Sequence, residues 1–268
     1  MMKDVSIGRY VQGDSILHRL DPRVKVVLSL LYMIVIFILS TAPGLLAAFA
    51  VTVFLAILSG ISLKSILQSV RPVVFLLLFI FVLNLFTIRT GTPLVVFWIV
   101  KITDQGLLKA ALMALRLFLL IVGTSLLLTL TTTPLLMADS LESLFGPLKK
   151  IRFPVHEMAM MMSIALRFVP TLVEETDKIM KAQASRGAEY DTGNLFARAK
   201  GYVSVLVPLF VSAFKRAEDL AIAMDARCYR GGEGRTKLHV LRMRGKDVFW
   251  LLFLTFLAAG LLVLDFIV

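Results

Sequence analysis

The sequence predicts an all-α polytopic membrane protein with about five transmembrane helices and long amphipathic cytoplasmic helices. Apolar residues make up 58% of the 268 positions, and the mean hydropathy is +0.87, well above that of soluble globular domains. Long charge-free runs occupy the first half of the chain, and basic residues are concentrated in the second half. These observations indicate a chain whose surroundings are largely lipid.

Charge-free runs locate the spans. Residues 26–63 contain no charged side chain, and the Pro43-Gly44 turn divides this run into two spans. A short basic loop at 64–71 precedes the third span. Residues 90–100 are too few to cross about 30 Å of hydrocarbon, which takes roughly 20 residues, and predict a re-entrant or interfacial loop. The predicted spans are 25–41, 44–62, 72–88, 117–138 (with an amphipathic lead-in from Gly106) and 248–264.

The charge distribution predicts the orientation. The chain has 29 Lys and Arg residues against 18 Asp and Glu residues, a net charge of +11. Of the basic residues, 18 lie within 149–246, on the same side of the membrane as the N-terminus. The positive-inside rule therefore predicts a cytoplasmic N-terminus and an extracellular C-terminus. The basic excess suits anionic lipid or an acidic protein partner, whereas no recognition motif points to nucleic acid.

The chain divides into three predicted parts. Residues 1–133 form an N-terminal transmembrane domain with four spans, and residues 247–268 form a C-terminal transmembrane helix. Residues 134–246 between them form a cytoplasmic or interfacial domain of long helices. This middle domain opens with a short helix from Pro134 to about Phe145, for which Thr133 is the expected N-cap.

The two long helices of the middle domain share one design. They begin near Pro154 and Asn194, and each has an internal proline, Pro170 or Pro208, that predicts a bend. Each ends in a cassette of one arginine between two small residues. The cassettes are Ser185-Arg186-Gly187 and Ala226-Arg227-Cys228, with the arginines 41 residues apart. Gly187 and the Gly231-Gly232 pair are expected to supply the left-handed residues that end the helices.

Two interpretations of the cassettes remain open. An arginine in the last turn interacts favourably with the helix dipole, by about 0.3–1 kcal/mol, and needs no partner. Alternatively, the small neighbours let a partner approach closely while the arginine makes bidentate contacts to acidic groups. Repetition on two helices of similar design favours docking, with each helix end seated in a groove of the partner.

Apolar surfaces on the same helices are candidates for a second contact. The methionine-rich start of the first helix offers an adaptable surface, and the second helix has an apolar stripe close to the 3.6-residue period. Packing against protein or lipid explains the methionines equally well. The candidate contact residues are Met158, Met161, Met162, Leu206, Phe210 and Phe214.

These segments carry a family resemblance. The stretch PLKKIRFPVHEMAMMMSIALRFVPTLVEETDKIMKAQASRG and the second motif ARCYRGG resemble the transmembrane T component (EcfT or CbiQ-like) of energy-coupling factor (ECF) transporters. The similarity extends over essentially the whole chain, including the opening GRYVQGDSILHRLDPRVK. The family's two Ala-Arg-Xaa motifs correspond to Arg186 and Arg227 with their neighbours. The first motif has Ser185 in place of alanine, a small-for-small difference.

The resemblance implies a non-catalytic subunit in the plasma membrane of a prokaryote. Its two coupling helices would dock into two ABC-type ATPases, which bind the ATP and Mg²⁺, while this chain binds no cofactor. A membrane S component would capture a vitamin or related micronutrient, and the apolar helix faces would contact it. The residues themselves show no phosphate-binding loop, since Gly245-Lys246 is followed by Asp247. The histidines His18, His156 and His239 have no metal-binding spacing.

Two rival functions share some of these features. A pore-lining permease subunit of a conventional ABC importer would use the same ATPases but would line a polar pathway with its spans. A secondary transporter would place ionisable groups within its spans. The polar residues available for that role are Arg116, Asn84 and Asp265.

Overall fold

The computed structural model describes residues 10–88, 90–97, 100–151, 153–188, 190, 194–231 and 243–267. These ranges are predominantly helical, and the predicted all-α polytopic class is confirmed. The helices are α1 (Ile16–Arg19), α2 (Pro22–Ile38), α3 (Ala42–Ser59), α4 (Leu63–Val70), α5 (Val74–Thr87), α6 (Asp104–Thr124), α7 (Pro134–Leu144), α8 (Val155–Ala184), α9 (Leu195–Ala226) and α10 (Gly245–Ile267). Short 3₁₀ turns cover Arg71–Val73 and Gly146–Ile151, and a π-helical turn covers Ser125–Thr129.

One compact unit contains residues 8–140 and 241–268. In its core α2 packs against α6 and α10, and α3 packs against α6. The centre consists of aliphatic side chains with almost no exposed surface, among them Ile36, Leu45, Leu119 and Leu127. The outward faces are apolar too, as a lipid-facing surface requires.

Four helical runs have the length and composition to cross a membrane, namely Ala42–Ser59, Leu63–Thr87, Asp104–Thr129 and Gly245–Ile267. The remaining predicted span corresponds to α2, which has 17 residues. A helix of that length, about 25 Å, lies at the lower end of the usual range for spanning helices. The fifth span therefore stays a prediction.

Two boundaries differ from those expected. The basic segment at 64–71 is not a loop. Ser62 caps a helix there, and Ile66 and Val70 anchor α4 to the core. The run predicted at 117–138 instead ends in the π-helical turn before 130. Thr133 and Pro134 then begin α7, as the capping signal at these two residues indicates.

The segment at 90–100, predicted as a re-entrant or interfacial loop, contains a β-hairpin, and its position relative to the membrane stays a prediction. Strand β1 (Pro93–Phe97) pairs antiparallel with β2 (Val100–Thr103). β-branched and aromatic residues such as Val95, Val96 and Phe97 favour a strand, a signal that the charge count alone did not reveal. The backbone amide of Thr92 donates to Asp104 Oδ1 at 3.0 Å, which joins the hairpin to the start of α6.

A buried lysine joins α2 to the end of the α6 run. The Lys25 side chain is about 1% exposed. Its Nζ donates to the carbonyl oxygen of Thr131 at 2.9 Å, and to the carbonyl oxygen of His18 and to Thr132 Oγ1, both at 3.3 Å. Three oxygen acceptors match the three donors of an ammonium group, and no ion pair to Lys25 occurs within the part of the chain that the structure describes.

The second unit lies within residues 141–240 and is built around α8 and α9. These helices have 30 and 32 residues and pack against each other. His156 Nδ1 lies 3.1 Å from Glu142 Oε1, which joins the start of α8 to the end of α7. His156 thus has a structural partner in this unit.

Candidate docking site

Arg186 lies in the turn that ends α8. Gly187 has a φ of +86°, and its N–H donates to the carbonyl oxygen of Ala184 at 3.0 Å. The N–H of Ala188 donates to the carbonyl oxygen of Gln183, also at 3.0 Å. This hydrogen-bond pair is the Schellman motif, in which Gly187 is the left-handed residue and Arg186 is the C-cap. The cassette therefore forms the helix terminus itself.

Arg227 occupies the same position at the end of α9. The N–H of Cys228 donates to the carbonyl oxygen of Asp225 at 2.8 Å, and that of Tyr229 donates to the carbonyl oxygen of Met224 at 3.0 Å. The left-handed residue is Cys228, with a φ of +57°. The helix thus ends at its cassette as predicted, but the expectation that the Gly231-Gly232 pair would supply the left-handed residue is wrong, because Cys228 takes that conformation three residues before Gly231. A non-glycine residue in this conformation costs roughly 1–2 kcal/mol.

The two caps lie far apart on the helix pair. Arg186 lies with Lys200, Gly201 and Ser204 of α9 around one cleft, so the end of α8 is beside the beginning of α9. Arg227 follows those residues by 23 to 27 positions along α9, roughly 35–40 Å at 1.5 Å per residue. The helices are therefore antiparallel where they pack, and they present their arginines at opposite ends.

A polar contact joins the helices between the two arginines. Arg216 Nη2 of α9 lies 2.6 Å from Glu175 Oε2 of α8. The other carboxylate oxygen of Glu175 accepts a hydrogen bond from Ser212 Oγ. Glu175 precedes Arg186 by 11 residues, and Arg216 precedes Arg227 by 11 residues. This three-residue contact, called here the Glu175 clamp, lies midway between the caps, and sequence periodicity did not predict it.

A tyrosine supports the end of α8. The ring of Tyr190 lies 5.7 Å from that of Tyr202 on α9, and its carbonyl oxygen accepts from Arg198 Nε at 3.1 Å. Its hydroxyl donates to the carbonyl oxygen of Met180 at 3.4 Å. Through these contacts Tyr190 links the end of α8, close to Arg186, to the start of α9. By contrast, all residues of α9 after Arg216 are exposed except Leu220 and Met224, which are half-buried.

The six candidate contact residues on the apolar faces are all exposed. Their exposed fractions run from 46% for Met158 to 72% for Phe214. The unit thus leaves large apolar side chains on α8 and α9 without a covering element within the described ranges. Pro170 and Pro208 lie inside α8 and α9, and the bends expected from them remain predictions.

Most of the chain matches a family of known proteins. The family model described as CbiQ, cobalt transport protein, matches residues 13–239. The chain belongs to this family. The matched range contains both arginine caps and the clamp, together with every predicted span except the last.

Within this CbiQ family, the chain is most informatively compared with proteins named for energy-coupling factor transport. This chain is 50% identical over 248 residues, 92% of each chain, to the energy-coupling factor transporter transmembrane protein EcfT of Ruminiclostridium cellulolyticum. It is 48% identical over 261 residues to that of Thermosediminibacter oceani, covering 97% of this chain and 96% of the relative. The Bacillus subtilis relative is 44% identical over 259 residues, 97% of each chain. The resemblance to the ECF T component is confirmed, and the chain is an energy-coupling transmembrane component of such transporters.

The polar groups that a secondary transporter would use have backbone partners in this CbiQ family structure. Arg116 donates to the carbonyl oxygen of Leu39, the C-cap of α2. Asp265 accepts from the backbone amides of Ser40 at 3.1 Å and Thr41 at 2.9 Å, where α3 begins. Asn84 donates to the carbonyl oxygen of Ile80, one turn earlier in its own helix, at 2.9 Å. Arg116 and Asp265 thus complement the helix dipoles at the α2–α3 turn, which disfavours a substrate-relay role.

Proposed function

We propose that this chain couples two ABC-type ATPases to a substrate-binding membrane S component, which takes up a vitamin or related micronutrient. ATP and Mg²⁺ belong to the ATPases, and the chain itself is not catalytic. Its N-terminus faces the cytoplasm and its C-terminus the outside, as the distribution of basic residues predicts. The transmembrane energy-coupling character of the curated relatives supports this role.

The observation that carries the proposal is the matched pair of arginine caps. Arg186 and Arg227 are C-caps of the same turn type on two antiparallel helices, roughly 35–40 Å apart along α9. Two separated, chemically equal ends suit two separate partner subunits. The small residues beside each arginine, Ser185 with Gly187 and Ala226 with Cys228, leave the backbone accessible to a partner groove.

The arginines are suited to acidic groups of the ATPases. Both are exposed, and a guanidinium group offers a planar pair of donors that matches a carboxylate. The negative C-terminal end of each helix dipole also attracts the arginine, though more weakly than a carboxylate would. In docking, the helix end therefore positions the arginine and the guanidinium group makes the contact.

The exposed apolar faces supply the second interface. Met158, Met161 and Met162 on α8 offer adaptable side chains, and Leu206, Phe210 and Phe214 on α9 offer larger ones. An S component embedded in the same membrane can cover such a surface. ATP-driven movement of the ATPases would displace the helix ends, and the helices would carry that displacement to the S component.

The experiment compares Arg186→Ala, Arg227→Ala and the double variant with the wild-type chain, co-expressed with candidate ATPases and S components. The controls are Lys181→Ala and Arg230→Ala, which remove exposed cations near each cap. Co-purification reports docking, and uptake of radiolabelled riboflavin, folate, biotin, thiamine or Co²⁺ identifies the substrate that the wild-type complex imports. The double variant is expected to lose uptake while remaining in the membrane.

The outcomes are distinct. Loss of ATPase co-purification in the double variant, with both controls intact, supports docking through the arginines. Normal assembly and uptake in the double variant would return both arginines to the role of ordinary helix ends. Failure of the wild-type chain to bind any ABC-type ATPase would refute the proposed function as a whole.

A further inference from the structure

The Glu175 clamp holds the coupling-helix pair at its midpoint. Glu175 has both carboxylate oxygens occupied by α9, one by Ser212 Oγ and the other by Arg216 Nη2 at 2.6 Å. The Glu175 and Arg216 side chains are 21% and 36% exposed. The Glu175–Arg216 contact is the one ion pair between α8 and α9 among the residues that the structure describes. Two bonds to a single carboxylate fix the rotation of the helices against each other as well as their separation.

The position of the clamp divides α9 into a supported part and an unsupported part. Before the clamp, α9 runs beside the end of α8, where Tyr190, Arg198 and Tyr202 brace it. After the clamp, 11 residues lead to Arg227, roughly 17 Å of mostly exposed helix. Among the side-chain contacts of α9 within the described ranges, the Glu175 clamp is the polar contact with α8 that lies nearest to Arg227 along the helix.

The two arginine caps are mechanically unequal for this reason. Arg186 belongs to the same helix as Glu175 and lies at the braced end of the pair. Arg227 reaches α8 chiefly through Arg216 and Ser212. Apolar packing between helices permits sliding at small cost, whereas a two-point hydrogen-bonded carboxylate resists it because each oxygen has a directed partner.

We propose that Glu175 is a positioning residue of the transport cycle. Held by Ser212 and Arg216, it transmits the displacement of the Arg227 end of α9 to α8. This inference rests on the proposed function, since the displacement comes from the ATPase bound at Arg227. Without the clamp, the ATPases still bind and hydrolyse ATP, but α9 moves against α8 and less of the movement reaches the S component.

The test uses Glu175→Gln in the complete complex, with the substrate that the wild-type complex imports. Glu174→Gln is the matched control, because Glu174 is the exposed neighbour on α8 and has no hydrogen bond or ion pair within the described ranges. Arg216→Met removes the other partner of the ion pair, and Lys215→Met, at the exposed neighbour on α9, is its control. Glu175→Gln is expected to keep ATPase co-purification and ATP hydrolysis while lowering substrate imported per ATP hydrolysed by about threefold to tenfold. The exchange Glu175→Arg with Arg216→Glu is expected to restore that ratio to within about twofold of wild type, since it re-forms the ion pair.

A second measurement reports the clamp without the ATPases. Nitroxide labels at residues 178 and 221, on a Cys228→Ser background, give the distance distribution between α8 and α9 in the full-length chain in nanodiscs. Glu175→Gln is expected to broaden this distribution, and Glu174→Gln is expected to leave it unchanged. An unchanged distribution in Glu175→Gln would overturn the inference whatever the ATPases do.

Results in the complex separate the two proposals. An unchanged import-to-hydrolysis ratio in Glu175→Gln overturns the clamp's role while leaving docking through the arginines intact. Loss of assembly in both Glu175→Gln and the charge exchange also overturns it, because Glu175 would then serve folding alone. A wild-type chain that binds no ATPase contradicts the proposed function and leaves the spin-label result as an independent measurement of the clamp.

Discussion

Gly123 of α6 lies directly against Tyr32 of α2. A Cβ atom at Gly123 would lie 2.2 Å from Tyr32 Cε1 and 2.3 Å from Cζ. The tyrosine ring is held in that place by its hydroxyl, which contacts Thr52 Oγ1 at 2.8 Å and donates to the carbonyl oxygen of Leu119 at 3.0 Å. Three helices of the transmembrane unit therefore meet at one glycine.

The Gly123→Ala variant is expected to destabilise the transmembrane unit by about 1–3 kcal/mol, the usual cost of overpacking a core. Thermal unfolding in detergent measures the change. Gly260→Ala is the control, since within the described ranges an added Cβ at Gly260 of α10 meets no atom within 4 Å other than those of its own local helix backbone. A shift of equal size in both variants would show that the effect comes from the helix backbone and not from Tyr32.

The Lys25→Met variant is expected to be destabilised by roughly 1–3 kcal/mol. It removes the ammonium group shared by His18, Thr131 and Thr132 and leaves buried carbonyl oxygens without a donor. The yield of folded protein and the unfolding temperature measure the loss. Lys64→Met, at an exposed lysine, should change neither quantity. Equal behaviour of the two variants would contradict the assignment of a structural role to Lys25.

The Asp265→Ala variant removes the acceptor from the start of α3. The amides of Ser40 and Thr41 then lose their partner, and a loss of about 0.5–2 kcal/mol follows from the usual value of an N-terminal helix cap. Asp265→Asn keeps one carbonyl acceptor and should lose less. Differential scanning fluorimetry ranks the variants. An asparagine variant weaker than the alanine variant would argue against capping.

The left-handed residues at the two caps predict opposite effects of substitution. Gly187→Ala introduces a Cβ at a φ of +86° and should loosen the end of α8 by about 1 kcal/mol. Cys228→Gly relieves the same conflict at the end of α9 and should tighten that end by a similar amount. Hydrogen exchange of the last-turn amides measures both. Reduced protection in both variants would contradict the assigned turn type.

The sequence predicted the elements whose signals are local. Thr133 with Pro134 marked the start of α7, and the Ser185-Arg186-Gly187 cassette marked the end of α8, because capping depends on neighbouring residues. The end of α9 also lies at its predicted cassette, but the left-handed residue there is Cys228, which the sequence did not indicate because glycine usually adopts that conformation. Lys64 and Arg71 suggested a loop, but Ile66 and Val70 between them bury one face of α4.

Contacts between distant residues could not be predicted in this way. The pairing of Glu175 with Arg216 depends on how α8 and α9 cross, and the helical period alone does not determine a crossing. The same holds for Arg116 and Asp265. As ionisable residues in apolar segments, both are candidates for transport groups by sequence, whereas in the structure their side chains contact the end of α2 and the start of α3.

The last helix of the chain contacts the first two spans at both ends. Near its start, Asp247 accepts from the buried backbone amide of Asp21 at 3.0 Å, and near its end Asp265 holds the start of α3. Both acceptors emerge from the ribosome more than 200 residues after the groups they satisfy. Until α10 has been synthesised, these amides therefore lack their carboxylate partners and depend on water or other acceptors. The arrival of α10 supplies both acceptors, so a chain that lacks α10 is expected to hold the starts of α2 and α3 less firmly than the full-length chain.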